Sequence, residues 1–242
     1  MSRAGLRSHN REMPEEHNRV LTDHIADLLL CPTQTAVDNL ARENITTSVH
    51  LVGDTMYDSV LQFAELARQR STILDDLGLT PKSYLLATIH RPYNTDVPEN
   101  LRAILSAFGE IDEPIVFPVH PRTRAKMASL GLDKNTQSHN PRFIDPLGYL
   151  DMLALEQNAR LVLTDSGGMQ KEAYWLGVPC ITLRPETEWV ETVAAGWNVL
   201  VGADRERILD AVRSLAAPAQ RPTLYSDGRA AQRIIEVIEQ HD

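Results

Sequence analysis

Residues 160–201 read RLVLTDSGGMQKEAYWLGVPCITLRPETEWVETVAAGWNVLV, and this stretch decides the fold. Leu161-Val162-Leu163 is a short apolar run of the kind that becomes a buried strand. Thr164-Asp165-Ser166-Gly167-Gly168 follows, residues 169–176 have helical character, and Gly177 stops them. Residues 178–183, VPCITL, make a second apolar strand. A strand, a glycine-rich turn and a helix together present an anion site. The first helical N–H groups have no intrahelical partner, and the helix dipole adds positive potential there. Two successive glycines let a phosphate approach the backbone closely. The pattern predicts a diphosphate-holding turn at Ser166, Gly167 and Gly168.

The same alternation extends upstream to residue 83 and downstream to residue 216. Strands are expected at 84–89, 115–119, 143–144, 161–163, 178–183 and 198–201, separated by helices at 99–108, 122–130, 149–157, 169–176 and 188–194. A further helix follows at 205–216. Such alternation predicts an α/β fold, a doubly wound parallel sheet covered on both faces, with right-handed crossovers. Ligands in such sheets sit beyond the carboxyl ends of the strands.

Before residue 53 the chain is mostly helical. Pro14 with Glu15 and Glu16 marks a helix start. Residues 17–30 put Val20, Leu21, Ile25, Leu28 and Leu29 on roughly one face, although residues 28–31 also read as a short strand stopped by Pro32. Thr33 caps a helix over 34–42. Residues 49–52 form a strand ended by Gly53, and residues 57–70 carry Val60, Leu61, Ala64 and Ala67 as an inner stripe. Residues 230–240 form a last helix with Ile234, Ile235 and Ile238 on one stripe. Three segments result: 1–53, with too few strands for a sheet of its own; 54–220, a complete Rossmann-like domain; and 221–242, a terminal helix returning toward the N-terminal part.

The chain has 242 residues, 43% hydrophobic and 24% charged, with a formal net charge of −9. That charge argues against a general nucleic-acid role, which favours basic surfaces. Cys31 and Cys180 lie far apart in apolar runs and read as buried free thiols, with no zinc or redox spacing. No apolar run is long enough for a membrane span and no leader-like segment precedes the first element, so a cytoplasmic protein is expected.

Several polar residues fall where strands end: His90-Arg91, His120-Pro121-Arg122, Asp145, Asp165 to Gly168, and Arg184. All should lie on one rim of the sheet, where histidines, arginines and a glycine turn suit a diphosphate. His120-Pro121 is read first as a capping turn, whereas His90, with Arg91 after it and Thr88 before it, is read first as functional. Glu172 lies one helical turn beyond Gly168 and on the same side. It reads equally as an acceptor for a ribose diol or as a solvated acid paired with Lys171. Trp175, Trp189 and Trp197 are read as packing residues, and Asp165 as a cap for the helix that follows it.

DSGGMQKEAYWLGVPCITLRPETEWVET over 165–192 resembles the signature of the non-hydrolysing UDP-N-acetylglucosamine 2-epimerases. AGLRS at 4–8, MPEEHNRVLTDHIADLLLCPT at 13–33, HLVGDTMYDSV at 50–60 and TIHRPYNTD at 88–96 resemble other blocks of that family, in family order. The resemblance implies a GT-B-like fold: one complete Rossmann-like domain plus a remnant of the N-terminal one. It implies inversion at C2 of UDP-GlcNAc to give UDP-ManNAc. UDP is eliminated to leave a 2-acetamidoglucal and adds again once the C2 proton has returned on the other face. No cofactor and no metal are implied. By position, His90 resembles the family histidine at the diphosphate and reacting centre, and Glu15 a carboxylate implicated in catalysis. Ser166, Gly167 and Gly168 match the phosphate turn, Glu172 the ribose-binding acid, and Arg184 the arginine near the diphosphate.

The chain departs from the family in places. The VEAGLR block has Arg3 where the family has a catalytic glutamate, and a preceding stretch of the family with a catalytic aspartate has no counterpart. Two family contacts with uracil correspond to Leu147 and Met152. These departures leave open a UDP-binding fragment or half of a split enzyme, without catalysis. They also leave open a hydrolysing variant, a 2-epimerase for another UDP-sugar such as UDP-2,3-diacetamido-glucuronate, and, least favoured, a GT-B glycosyltransferase. The expected partners are a UDP-sugar and either a second copy of the chain or a missing N-terminal domain, with no nucleic acid and no membrane. For the isolated chain, weak UDP binding and little epimerisation are expected.

Overall fold

A computed structural model describes residues 4–10, 14–132 and 140–241. Arg3 and Arg11 of the basic start lie outside the described residues. The chain divides into two compact units, Met1–Gln62 with Pro222–Asp242, and Phe63–Arg221.

In the first unit, β1 (Leu29–Cys31) and β2 (Val49–Leu51) pair in parallel, Leu30 opposite His50. Residues 29–31 are thus a strand, and α1 (Pro14–Ile25) stops before them. Thr33 caps α2 (Gln34–Arg42) by accepting a hydrogen bond from the Ala36 amide at 3.2 Å. A small core of Ala4, Leu29, Cys31, Ala36 and Leu40 forms beneath them. The stripe expected on α1 is not its buried face: Leu21 and Ile25 are exposed, whereas Glu16 and Asp23 are buried. The buried face is set by hydrogen bonding. Glu16 accepts from the amides of Ser8 and His9, and Asp23 from the Gly5 amide and from Arg7 at 2.7 Å. Leu61, expected inward on α3 (Thr55–Arg70), is also largely exposed. Asp58 of α3 accepts from the Ala230 and Ala231 amides, anchoring the start of α12 (Ala230–Glu239).

The second unit continues with α4 (Ile73–Leu77) and then a six-stranded parallel sheet. Its elements are β3 (Leu85–Thr88), α5 (Pro92–Thr95), α6 (Pro98–Gly109), β4 (Ile115–Pro118), α7 (Pro121–Ser129), β5 (Arg142–Ile144) and α8 (Tyr149–Asn158). They continue with β6 (Leu161–Thr164), α9 (Gly167–Leu176), β7 (Cys180–Thr182), α10 (Val190–Ala194), β8 (Asn198–Leu200) and α11 (Arg205–Ser214). The strand order is β5-β4-β3-β6-β7-β8, so the chain starts in the middle, winds out one way, and returns to wind out the other. This is the doubly wound arrangement expected from the alternation.

Every residue of β3, β4, β6 and β7 is buried, as parallel strands covered on both faces require. Alternate side chains, Leu85, Ala87, Phe117, Leu161, Leu163 and Ile181 among them, join Leu101, Ile104 and Phe108 of α6 and Ile208 of α11 in one core. Side chains such as Leu86, Val116 and Val162 point to the other face. There the Tyr84 hydroxyl, two residues before Leu86, donates to Leu155 O of α8 at 2.6 Å. Gly177, at φ 70°, ends α9 in the left-handed region and lets the Val178 amide donate back to Ala173 O at 2.9 Å.

Candidate functional site

The direction of winding reverses between β3 and β6, the place where a doubly wound sheet opens a crevice at its carboxyl edge. The two strands end in register, Thr88 opposite Thr164, with their buried hydroxyls 2.7 Å apart. The chain leaves β3 as Ile89-His90-Arg91 and leaves β6 as Asp165-Ser166-Gly167. Both exits meet at Asp165, which is fully buried. Its carboxylate accepts from the His90 amide at 3.0 Å, the Arg91 amide at 2.9 Å and Asn94 Nδ2 at 3.1 Å. The expected capping role of Asp165 falls instead to Ser166, whose hydroxyl accepts from the Met169 amide at 3.4 Å. Asp165 is drawn toward β3 because its carboxylate accepts from two backbone N–H groups there.

Helix α9 therefore begins at Gly167, two residues before the expected Met169, and Gly167 and Gly168 are its first residues. Gly167 is needed for close packing. A Cβ there would sit 3.2 Å from Trp189 Nε1 and 3.8 Å from Glu188 Oε2. Trp189 is itself held in place, with the Lys171 ammonium 3.9 Å from its ring centroid. Lys171 is fully buried and also lies 5.2 Å from the Trp175 ring, so it is no solvated partner for Glu172. All three tryptophans are buried and pack.

A cavity of about 290 Å³ opens at this rim. His90, Ser166 and Glu172 line it together with His120, Tyr149 and Glu156, and Leu147 and Met152 form an apolar wall. The structure thus brings His90, Ser166 and Glu172 to one space. His90 is partly buried, and its Nδ1 lies 3.5 Å from Asp165 Oδ1. Burial lowers the pKa of its imidazole below the ordinary histidine value, Asp165 opposes that, and Arg91 and His120 reinforce it. The ring is therefore neutral at neutral pH, with one nitrogen able to accept a proton. His120 caps α7 by accepting from the Arg122 amide at 3.2 Å, yet its ring also faces His90, centroid to centroid 6.4 Å.

Glu172 accepts a hydrogen bond from the Tyr149 hydroxyl at 3.1 Å. Burial pushes its carboxyl above the ordinary range, against the pull of Tyr149 and Lys171. Glu156, 1% exposed, is raised well above that range by burial and then by the charge of Glu172. Arg184 does not line this cavity; it is buried against Glu188, 3.3 Å away. Glu15 belongs to the first unit, exposed on the first turn of α1 beside the buried Glu16. Asn94, Tyr149 and Glu156 were not expected at the site. For the last two, α8 itself held the signal: Tyr149, Met152, Leu153 and Glu156 follow i, i+3, i+4, i+7 and so share a face.

A model of the UDP-N-acetylglucosamine 2-epimerase family matches residues 2–239. The chain belongs to the UDP-N-acetylglucosamine 2-epimerase family. Among its relatives, a UDP-N-acetylglucosamine 2-epimerase homolog of Methanococcus maripaludis is 51% identical over 97% of this chain and 67% of its own. A UDP-2,3-diacetamido-2,3-dideoxy-D-glucuronate 2-epimerase of Pseudomonas aeruginosa is 48% identical over 97% of this chain and 66% of its own. The crystal structure of the Methanocaldococcus jannaschii UDP-GlcNAc 2-epimerase, in complex with UDP-GlcNAc and UDP, superposes with a TM-score of 0.91 at 41% identity. That superposition covers 98% of this chain and 67% of the neighbour. The chain thus spans about two thirds of the length of these epimerases. The GT-B-like α/β fold expected from the sequence is the fold it shares with them.

Proposed function

We propose that this chain acts in 2-epimerisation of UDP-N-acetylglucosamine and holds the UDP part of the substrate. One observation carries the reading: the first turn of α9, His90 and Glu172 converge on a single cavity at the switch point, in a chain of this family. Ser166, Gly167 and Gly168 take the diphosphate on helix N–H groups, and Glu172 accepts from the ribose diol. His90 stands where negative charge builds as the C1–O bond to UDP breaks. Loss of the C2 proton needs a base and its return on the other face an acid, a task to which Glu15 contributes. Arg184 contributes positive charge from behind the diphosphate, steadied by Glu188. A cytoplasmic location, a homodimer and a part in cell-surface polysaccharide synthesis belong to the same reading.

The Pseudomonas aeruginosa relative, at 48% identity, favours a second substrate, a UDP-2,3-diacetamido-glucuronate. Calorimetry with UDP tests the site. Glu172→Ala is expected to weaken UDP binding about tenfold or more, and by more than binding of a CMP-sugar control; unchanged UDP affinity removes the ribose role. Proton NMR of each UDP-sugar in deuterated water tests the chemistry. Deuterium entry confined to C2 and lost in His90→Ala is the expected signature, slowed by Arg3 standing where the family block has glutamate. UDP binding with no exchange on either sugar would reduce the reading to a UDP-binding chain without catalysis.

A further inference from the structure

Glu156 has no part in the reading above, and its surroundings are unusual for a carboxyl. It lies on the cavity-facing side of α8, one turn beyond Met152, and it is 1% exposed. Its Oε1 has no hydrogen-bond partner among the described residues. A buried polar atom without a partner costs folding free energy, and native proteins carry few of them. Here the atom lines a cavity, so a ligand can supply the missing bond.

We propose that Glu156 anchors the nucleobase: its carboxyl hydrogen-bonds the polar edge of the pyrimidine ring bound in this cavity. The proposal deepens the UDP reading and rests on it. The diphosphate end of the cavity is marked by Ser166 and the ribose by Glu172, which leaves the wall of Leu147 and Met152 for the base. A flat apolar wall suits the faces of a planar ring, but the edge of that ring carries carbonyl and N–H groups that must keep partners when water leaves. Glu156 is the polar group which α8 places beside that wall. Burial and the Glu172 charge raise its pKa well above the ordinary carboxyl value and so favour the protonated form, which offers one O–H donor and one carbonyl acceptor. Uracil, with a carbonyl next to an N–H on its outer edge, can use both.

The test compares UDP with ribose 5-diphosphate, which lacks the base, by calorimetry on the whole chain. Glu156→Met keeps the shape and removes both hydrogen-bonding atoms; Glu156→Gln keeps a donor and an acceptor. Glu156→Met is expected to weaken UDP about tenfold, to leave ribose 5-diphosphate within about twofold, and to raise the Tm by removing an unsatisfied buried group. Glu156→Gln should restore most of the UDP affinity. Equal losses for both ligands would mean that Glu156 serves the ribose or the fold, and no loss for either would mean that the base lies elsewhere; both overturn the proposal. A wild-type chain that does not bind UDP would instead remove the reading of the site, and this proposal with it.

Discussion

Asp165 holds His90 by its backbone: the buried carboxylate accepts from the His90 amide at 3.0 Å and lies 3.5 Å from the ring Nδ1. The link joins the ends of two adjacent strands across the crevice, so the position of the histidine depends on a residue in the glycine-turn motif. Asp165→Asn keeps the size but leaves one oxygen to serve the donors of His90, Arg91 and Asn94, and turns an NH2 toward them. A loss of about 2–4 kcal/mol in folding free energy is expected, from charge-assisted bonds and a new unsatisfied donor. UDP affinity should fall with it. Urea unfolding of the variant decides; a change below about 0.5 kcal/mol, the range of ordinary surface substitutions, would show that the network does not hold the turn.

Gly167 sets a second constraint on the same turn. Alanine is the better helix former, but its Cβ would stand 3.2 Å from Trp189 Nε1. Trp189 has little room to move, because its amide donates to Thr187 Oγ1 at 3.1 Å and Lys171 covers its ring. Gly167→Ala should therefore destabilise by about 1 kcal/mol through overpacking. It should also weaken UDP binding about tenfold, since the first N–H groups of α9 shift with the backbone. A fully active variant with wild-type stability would show that the helix start tolerates the methyl group.

The parts of this fold that were legible in the sequence are those fixed by local chemistry. LLAT, IVFP, LVLT and CIT are apolar up to a closing threonine or proline because central parallel strands are buried on both faces, and the order of strands and helices between them leaves few topologies. The rim followed from the topology, which is why His90, Ser166 and Glu172 could be placed together. What was hidden depends on contacts distant in sequence. Asp165 and Ser166 are both capping residues, and only the position of β3 decides which one caps. The apolar positions Leu21 and Ile25 read as inward on α1, but the buried side of that helix is chosen by amides at residues 5, 8 and 9 that donate to Asp23 and Glu16. Helix α5, four residues long, is too short for any period to show.

Glu16 leads to a prediction at acid pH. Burial works to raise its pKa, but the Ser8 amide, the Ser8 hydroxyl, the His9 amide and Arg19 outweigh burial and hold it below the ordinary value. The unfolded chain thus binds this proton more tightly than the folded one. The stabilisation is present above the ordinary glutamate value and is lost as pH falls through the lowered one. Glu16→Gln should cost about 1–3 kcal/mol at neutral pH, with the deficit shrinking in acid until the two proteins unfold alike. Denaturation curves from about pH 7 down to about pH 3 check this, a range that spans the ordinary glutamate value. A deficit that stays constant with pH would mean that Glu16 acts through its shape alone.

Glu156 leads to the opposite slope. Burial and the neighbouring Glu172 charge raise its pKa well above the ordinary value, so the folded chain keeps a proton that the unfolded chain releases. Between the ordinary value and the raised one the native state binds more protons, and stability falls as pH rises through that window. Glu172, also raised, adds to the slope, and the Tyr149 hydroxyl that binds it stays protonated throughout, since its own pKa is pushed up. Glu156→Gln removes one of the two titrating carboxyls and leaves the other. The variant should gain in melting temperature relative to wild type as pH rises from about 5 toward about 8. Parallel melting curves for the two proteins across this range would mean that Glu156 does not titrate between them, and that its carboxyl has found a partner in the folded chain.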